Sequence, residues 1–168
     1  MSIDWKLEIS KLIAVKQVIA ELDTQKLWCH RLPRLAASNE DIESLRNKIR
    51  KDIPSEYIEF LRFANGWPSF YQNVDLFGTS DYFNEDLMEA ARDIFEQTSF
   101  SNDLKDDLLV IAMTSQDTDL FCLNLRSGEV IWFAGIEVER FDNFDEFFLT
   151  MVDYNREEII DLENERAH

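Results

Sequence analysis

Glycine, cysteine and histidine are all scarce in this 168-residue chain, and each scarcity removes a class of function. Four glycines, Gly66, Gly78, Gly128 and Gly135, form no glycine-rich loop that could cradle a phosphate. Cys29 and Cys122 alone exclude a disulfide scaffold and suit a reducing cytosol. With only His30 and His168, the HExxH arrangement is missing, as are the CxxC, GxSxG and EF-hand patterns. No apolar run approaches the roughly 20 residues of a membrane helix. The opening residues, Met1-Ser-Ile-Asp-Trp-Lys, lack the basic-then-apolar order of a secretory signal, so a cytoplasmic protein is expected. No cofactor or metal is implied.

What is present is a core-forming composition with lopsided charge. Hydrophobic residues make up 45% and charged residues 30%, the balance of a folded domain, and 13 Phe and 4 Trp supply bulky interior material. The 34 acids and 17 bases divide unevenly. Residues 1–80 carry 11 of each, so the whole net charge of -17 resides in residues 81–168. A phosphate backbone or an anionic membrane would be repelled by that half. Solubility alone accounts for such charge, and so does a basic protein partner, whose encounter the field would accelerate.

Apolar spacing of three and four predicts a helix from Ile3 to Leu22, followed by a connector broken at Pro33. Ser38-Asn-Glu-Asp41 has the form of a capping box and opens a second helix to about Lys51. Pro54 opens a short third helix through Tyr57, Ile58, Leu61 and Phe63, stopped at Asn65-Gly66. An aromatic loop, Trp67–Tyr71, then a short strand, Val74–Phe77, and a helix over 83–97 are expected next, with a polar loop from Thr98 to Asp107. Leu108–Met113, Leu120–Leu125 and Val130–Ala134 read as antiparallel strands that are apolar on both faces, with an edge strand at Val138–Phe141. Phe144, Phe147, Phe148, Met151 and Val152 mark a final helix, after which acids dominate. The fold class is α+β, one domain with an antiparallel sheet of about four to five strands packed with helices. Its parts would be an N-terminal helix and connector (1–37), a core (38–152) and an acidic C-terminal segment (153–168).

No catalytic constellation emerges, and the chain is not expected to be an enzyme. Cys29-His30 is a thiol beside an imidazole, but neighbours in a connector seldom face each other. Asp117 and Asp119, two apart in the turn 115–119, could bind a hard cation, form an acid–base pair or meet a cationic partner; a solvated turn is the plain alternative. Glu157, Asp161 and Glu165 would line one helix face, either as a fraying tail or as a surface that a partner neutralises. Trp67, Phe70 and Tyr71 are either core residues or exposed interface anchors.

One ordered set of residues resembles a known family. Ile53-Pro-Ser-Glu-Tyr-Ile-Glu-Phe-Leu-Arg-Phe-Ala-Asn-Gly66 is similar to the Pro-x-x-Tyr-x-x-Phe-Leu … Asn-Gly core of the SUKH superfamily, founded on the Smi/Knr-type domain. Pro54, Tyr57, Phe60, Leu61, Asn65 and Gly66 carry that segment; Phe144 and Phe148 carry a closing helix like the family's. Val74–Gly78, Asp107–Ile111, Phe121–Asn124 and Gly128–Val130 continue it, so the likeness spans about residues 38–152. The chain departs where Trp67 and the turn Gln116–Asp119 stand in place of common glycines. The resemblance implies a protein-binding domain. Bacterial members are predominantly immunity proteins that neutralise a toxin domain, frequently a nuclease, and others are scaffolds. The expectation is an immunity protein that occludes a cognate basic toxin domain through Asp117, Asp119, Glu137, Glu139, Trp67 and Tyr71, with a non-toxin scaffold as the alternative. Monomer and weak dimer both remain open.

Overall fold

The computed structural model describes residues 3–100, 102–114 and 116–168; Met1, Ser2, Ser101 and Ser115 lie outside it, the last of these within the turn at 115–119. Helix α1 (Trp5–Leu22) starts where the Asp4 carboxylate accepts from the Leu7 N–H at 3.2 Å. Helix α2 (Asn39–Ile49) opens with both capping-box bonds, Asp41 N–H to Ser38 Oγ at 3.1 Å and Ser38 N–H to Asp41 Oδ2 at 2.9 Å. Two otherwise orphaned donors are thereby satisfied. Helix α3 (Ser55–Leu61) begins just after Pro54, which occupies the cap position.

Among the described residues, six strands form one sheet in chain order: β1 (Trp67–Tyr71), β2 (Val74–Leu76), β3 (Leu108–Thr114), β4 (Asp119–Asn124), β5 (Val130–Ala134) and β6 (Ile136–Phe141), every neighbouring pair antiparallel. The α+β class stands, with six strands rather than four or five. A 3-10 helix (Thr79–Phe83), α4 (Glu85–Gln97) and the single turn α5 (Asn102–Lys105) join β2 to β3, and α6 (Phe144–Arg166) closes the chain.

Trp67–Tyr71, expected as an aromatic loop, is an edge strand. Pro68, which has no N–H to donate, is tolerated because β1 has a neighbour on one side only. Ser69 sits at φ 54°, and the register slips between Trp67 and Tyr71. The slip breaks the two-residue alternation, so Trp67 and Phe70, three apart, both turn inward and are fully buried. Trp67 donates its indole N–H to the Arg31 carbonyl at 2.9 Å.

Both sheet faces are covered. On one, Phe147 of α6 packs against Phe70, Phe121 and Phe141 of three strands, and Trp5 of α1 meets Phe60, Phe144 and Phe148. Ring separations of 5.1–5.9 Å in tilted or edge-on pairs are the favourable geometry, each pair contributing about 0.5–1.5 kcal/mol beyond its area. The other face carries α4 and the 3-10 helix, with Phe95, Phe100 and Phe133 in series as two tilted ring pairs. Helices α1 and α6 run side by side in the same direction, Trp5 beside Phe144 at one end and Leu22 near Leu162 at the other. That companion keeps residues 153–166 helical, where acidic composition alone suggests fraying.

The Asn-Gly motif is explained by a crossing of two chain segments. Asn65 accepts from the Thr79 N–H at 2.7 Å and donates to Thr79 Oγ1 at 2.9 Å. Gly66, at φ 91°, passes so close to Gly78 that a Cβ on Gly66 would fall 2.5 Å from the Gly78 nitrogen. Beneath the crossing, Tyr57 donates to the Phe77 carbonyl and Tyr82 to the Val110 carbonyl, both at 2.8 Å, tying α3 and the 3-10 helix to the sheet.

Candidate functional site

Sheet register assembles a row of side chains across β4, β5 and β6: Phe121 lies opposite Trp132, and Trp132 opposite Glu139. Phe121 is interior, but β6 is an edge, so the row runs from core to surface within three strands. Phe121 and Trp132 stack at 5.0 Å, and Trp132 donates its indole N–H to Asp119 Oδ1 at 2.8 Å. Tyr154 of α6 lies 6.4 Å from Trp132 and 6.2 Å from Tyr71 of β1, and its hydroxyl reaches both oxygens of Glu139, at 2.8 and 2.6 Å. Tyr71, Trp132 and Tyr154 are all half-buried. Together they form an aromatic strip running from β5 to β1 along one side of α6.

Carboxylates surround this strip. Burial first, and then Glu158, Glu157, Asp161 and Asp119, together push the Tyr71 phenol up to about 12. Tyr154 is also raised to about 12, chiefly because its proton is held by Glu139, then by burial. Gln72 donates to the half-buried Glu158, whose carboxyl is raised by burial. A negative field that disfavours phenolate is one that attracts a cation.

The candidates from sequence divide sharply. Tyr71, Asp119 and Glu139 come together here, and Glu157 and Asp161 join them from α6. Trp67 does not; its ring is sealed in the core, and as a surface anchor it is corrected. Glu137 is separated by a register shift between Trp132 and Phe133, which sets it opposite Phe133 while Glu139 faces Trp132. There Glu137 pairs with Arg140 at 2.5 Å, and that ion pair holds the guanidinium protonated. Asp117 stays in its exposed turn, accepting from the Thr118 N–H at 2.8 Å, and does not belong to the group that surrounds Tyr71. Pro54, Tyr57, Phe60, Leu61, Asn65, Gly66, Phe144 and Phe148 are structural, serving the core and the backbone crossing. Trp132, Tyr154 and Glu158 are the members that sequence reasoning missed. Trp132 sits in an apolar run and reads as core, and Tyr154 and Glu158 stand among polar residues of the last helix with nothing to single them out until their neighbours from other segments are known.

Asp119 is engaged by the Trp132 indole, and among the described residues no three His, Cys, Asp or Glu side chains converge as metal ligands. His30 Nε2 lies 2.8 Å from Asp23 Oδ2, so the imidazole faces a buried carboxylate and not the exposed Cys29. Among the described residues, no helix is long and apolar enough to cross a membrane.

No curated protein matches the chain. The SMI1/KNR4 family model (SUKH-1) matches residues 36–150, which span α2 to the first turns of α6 and include the Asn65-Gly66 crossing, all six strands and the Phe144–Phe148 closure. Helix α1 and Tyr154, Glu157, Glu158 and Asp161 lie outside the match. By this core, covering more than half its length, the chain belongs to the SMI1/KNR4 family (SUKH-1).

Proposed function

We propose that this chain is an immunity protein, which neutralises a basic toxin domain, most simply a nuclease, by stoichiometric occlusion. The observation that carries the reading is the aromatic strip Tyr71–Tyr154–Trp132 enclosed by Asp119, Glu139, Glu157, Glu158 and Asp161. Half-buried aromatics held rigid by hydrogen bonds are what interface hot spots require, since little side-chain freedom remains to be lost on binding. Carboxylates around them match a cationic cleft and take the place of a nucleic-acid phosphate backbone. Ile136 and Val138 on the edge strand β6, 66% and 53% exposed, extend the apolar area beside the strip. An interface of about 1,600 Å² built on such a patch supports nanomolar binding or better.

The reading involves no bond made or broken and needs no cofactor. Within it, Tyr71 and Trp132 are the anchors, and Glu157 and Asp161 steer the encounter. Titration calorimetry with the toxin domain encoded in the adjacent reading frame tests it directly. A one-to-one complex that abolishes the toxin's activity supports the proposal. Absence of binding at micromolar concentration refutes it.

A further inference from the structure

On the other face of the sheet, a cleft of about 450 Å³ opens between the C-terminal end of α2, the body of α4 and the first residues of β3. Its floor is apolar, made by Ile49, Met88, Ala91, Phe95, Leu108 and Val110. Its rim is cationic, with Lys48, Lys51, Arg92 and Lys105. Four of the chain's 17 basic residues thus meet around one opening in a protein of net charge -17.

Local structure accounts for part of this. Lys48 and Lys51 lie at the C-terminal end of α2, where cations suit the helix dipole. Lys51 also donates to the Asp106 carbonyl and lies 3.9 Å from the Asp107 carboxylate. The Lys48 ammonium stands 5.3 Å over the Phe83 ring. Arg92, in mid-helix, and Lys105 gain nothing from α2, and among the described residues no carboxylate approaches Lys48, Arg92 or Lys105 within 4 Å. Asp106 is the acid on the rim, and Glu85 and Glu89 border the neighbouring groove along α4. Cations gathered over an apolar floor repel one another, and the floor itself stays wetted; a ligand with one anionic end and one apolar end relieves both costs. The volume falls within the roughly 300–1,000 Å³ of small-molecule sites. The basic groups line a concave cleft of small-molecule size and do not form a flat basic surface, so the occupant that fits is a small molecule and not an anionic bilayer.

We infer that this cleft binds a small anionic amphiphile, its carboxylate or phosphate head among Lys48, Arg92 and Lys105 and its apolar body over Met88, Phe95 and Val110. The inference is independent of the toxin-binding reading, which concerns the opposite face.

Calorimetric titration of the full chain with decanoate, naphthoate and decyltrimethylammonium tests it. One or both carboxylates should bind at least about tenfold more tightly than the cation, decanoate marking an acyl body and naphthoate a planar one. Arg92→Glu with Lys105→Glu, both exposed, should weaken the carboxylate about tenfold or more and leave the thermal unfolding midpoint nearly unchanged. Met88→Trp, which fills the cleft, should abolish binding of every probe while circular dichroism stays native. Equal affinity for the cation and the carboxylates, or carboxylate binding undiminished by the double charge reversal, overturns the inference.

Discussion

The Tyr154 hydroxyl is bonded to both carboxylate oxygens of Glu139, at 2.8 and 2.6 Å, which fastens the last helix to the free edge of the sheet. This one contact joins α6, whose acids give the surface its charge, to β6, the strand that a partner can reach. It also fixes the tyrosine ring at 6.4 Å from Trp132, so the strip is ordered before any partner arrives. Tyr154→Phe should cost about 0.5–1.5 kcal/mol in a urea titration, the worth of one hydrogen bond. A larger loss would mean that the bond also governs how α6 packs.

The tyrosines give a second, global test. All four, Tyr57, Tyr71, Tyr82 and Tyr154, have phenols raised by burial, by carboxylates or by each other. A folded pKa above the unfolded one means that stability is present below about pH 10 and is lost as the pH rises towards 12. Tyrosinate absorbance should therefore show no step near pH 10 while the chain is native. A tyrosine that ionises near pH 10 in the folded protein would contradict the geometry of the strip or of the Tyr57–Tyr82 pair.

Lys16 offers the opposite sign. Its ammonium is buried, donates to the Ser69 carbonyl at 2.6 Å and is lowered by burial to about 8. Between that value and the ordinary lysine range, the unfolded chain binds the proton and the folded chain does not, so stability rises with pH. From pH 8 to 9.5 the wild type should gain on the order of 1 kcal/mol, measured by urea unfolding. Lys16→Met should remove that slope. A flat wild-type profile would show that the ammonium is better solvated than its burial suggests.

Two glycines should respond very differently to alanine. A Cβ on Gly78 would lie 2.0 Å from the Asn65 carbonyl oxygen, backbone against backbone, whereas one on Gly128 meets no atom of the described residues within 4 Å. Gly78→Ala should cost about 3 kcal/mol or more or prevent folding; Gly128→Ala, strained only by its φ of 85°, about 1 kcal/mol. Thermal unfolding of the pair checks this, and comparable losses would refute the crossing as the reason for the Asn65-Gly66 motif.

Much of the fold was legible in the sequence because the signals were local. Ser38 to Asp41 announced its capping box, the Phe144–Val152 spacing its helix, and three apolar runs their strands. Strand β1 was not legible, because Ser69 in a left-handed conformation spoils the alternation that identifies a strand. The full length of α6 was hidden too, since its later turns hold their helix against α1 and not through apolar periodicity of their own. Of the candidate surface, Tyr71 and the carboxylates Asp119, Glu139, Glu157 and Asp161 could be named from the sequence. The aromatic strip as a unit could not, because Tyr71, Trp132 and Tyr154 are dispersed over 84 positions and meet only where Tyr154 of α6 packs against the two strand residues. The bulge at Trp132–Phe133 likewise separates Glu137 from Glu139, which simple alternation places on one side.

The same acids should tax the isolated chain. Glu157, Asp161 and Glu165 repeat every fourth residue on α6, a spacing at which like charges destabilise a helix by about 0.2–0.5 kcal/mol per pair. Asp161→Lys should therefore raise the unfolding midpoint at low salt, with the gain fading in high salt. A lowered midpoint would indicate that the carboxylate makes a stabilising contact.

The most direct test is the rate at which the chain associates with its basic toxin domain, measured by stopped-flow intrinsic tryptophan fluorescence across a salt series. The account predicts that Glu157→Lys with Asp161→Lys slows association about tenfold or more at low ionic strength, and that the difference shrinks as salt is added. An association rate identical for wild type and variant at every salt concentration would contradict it.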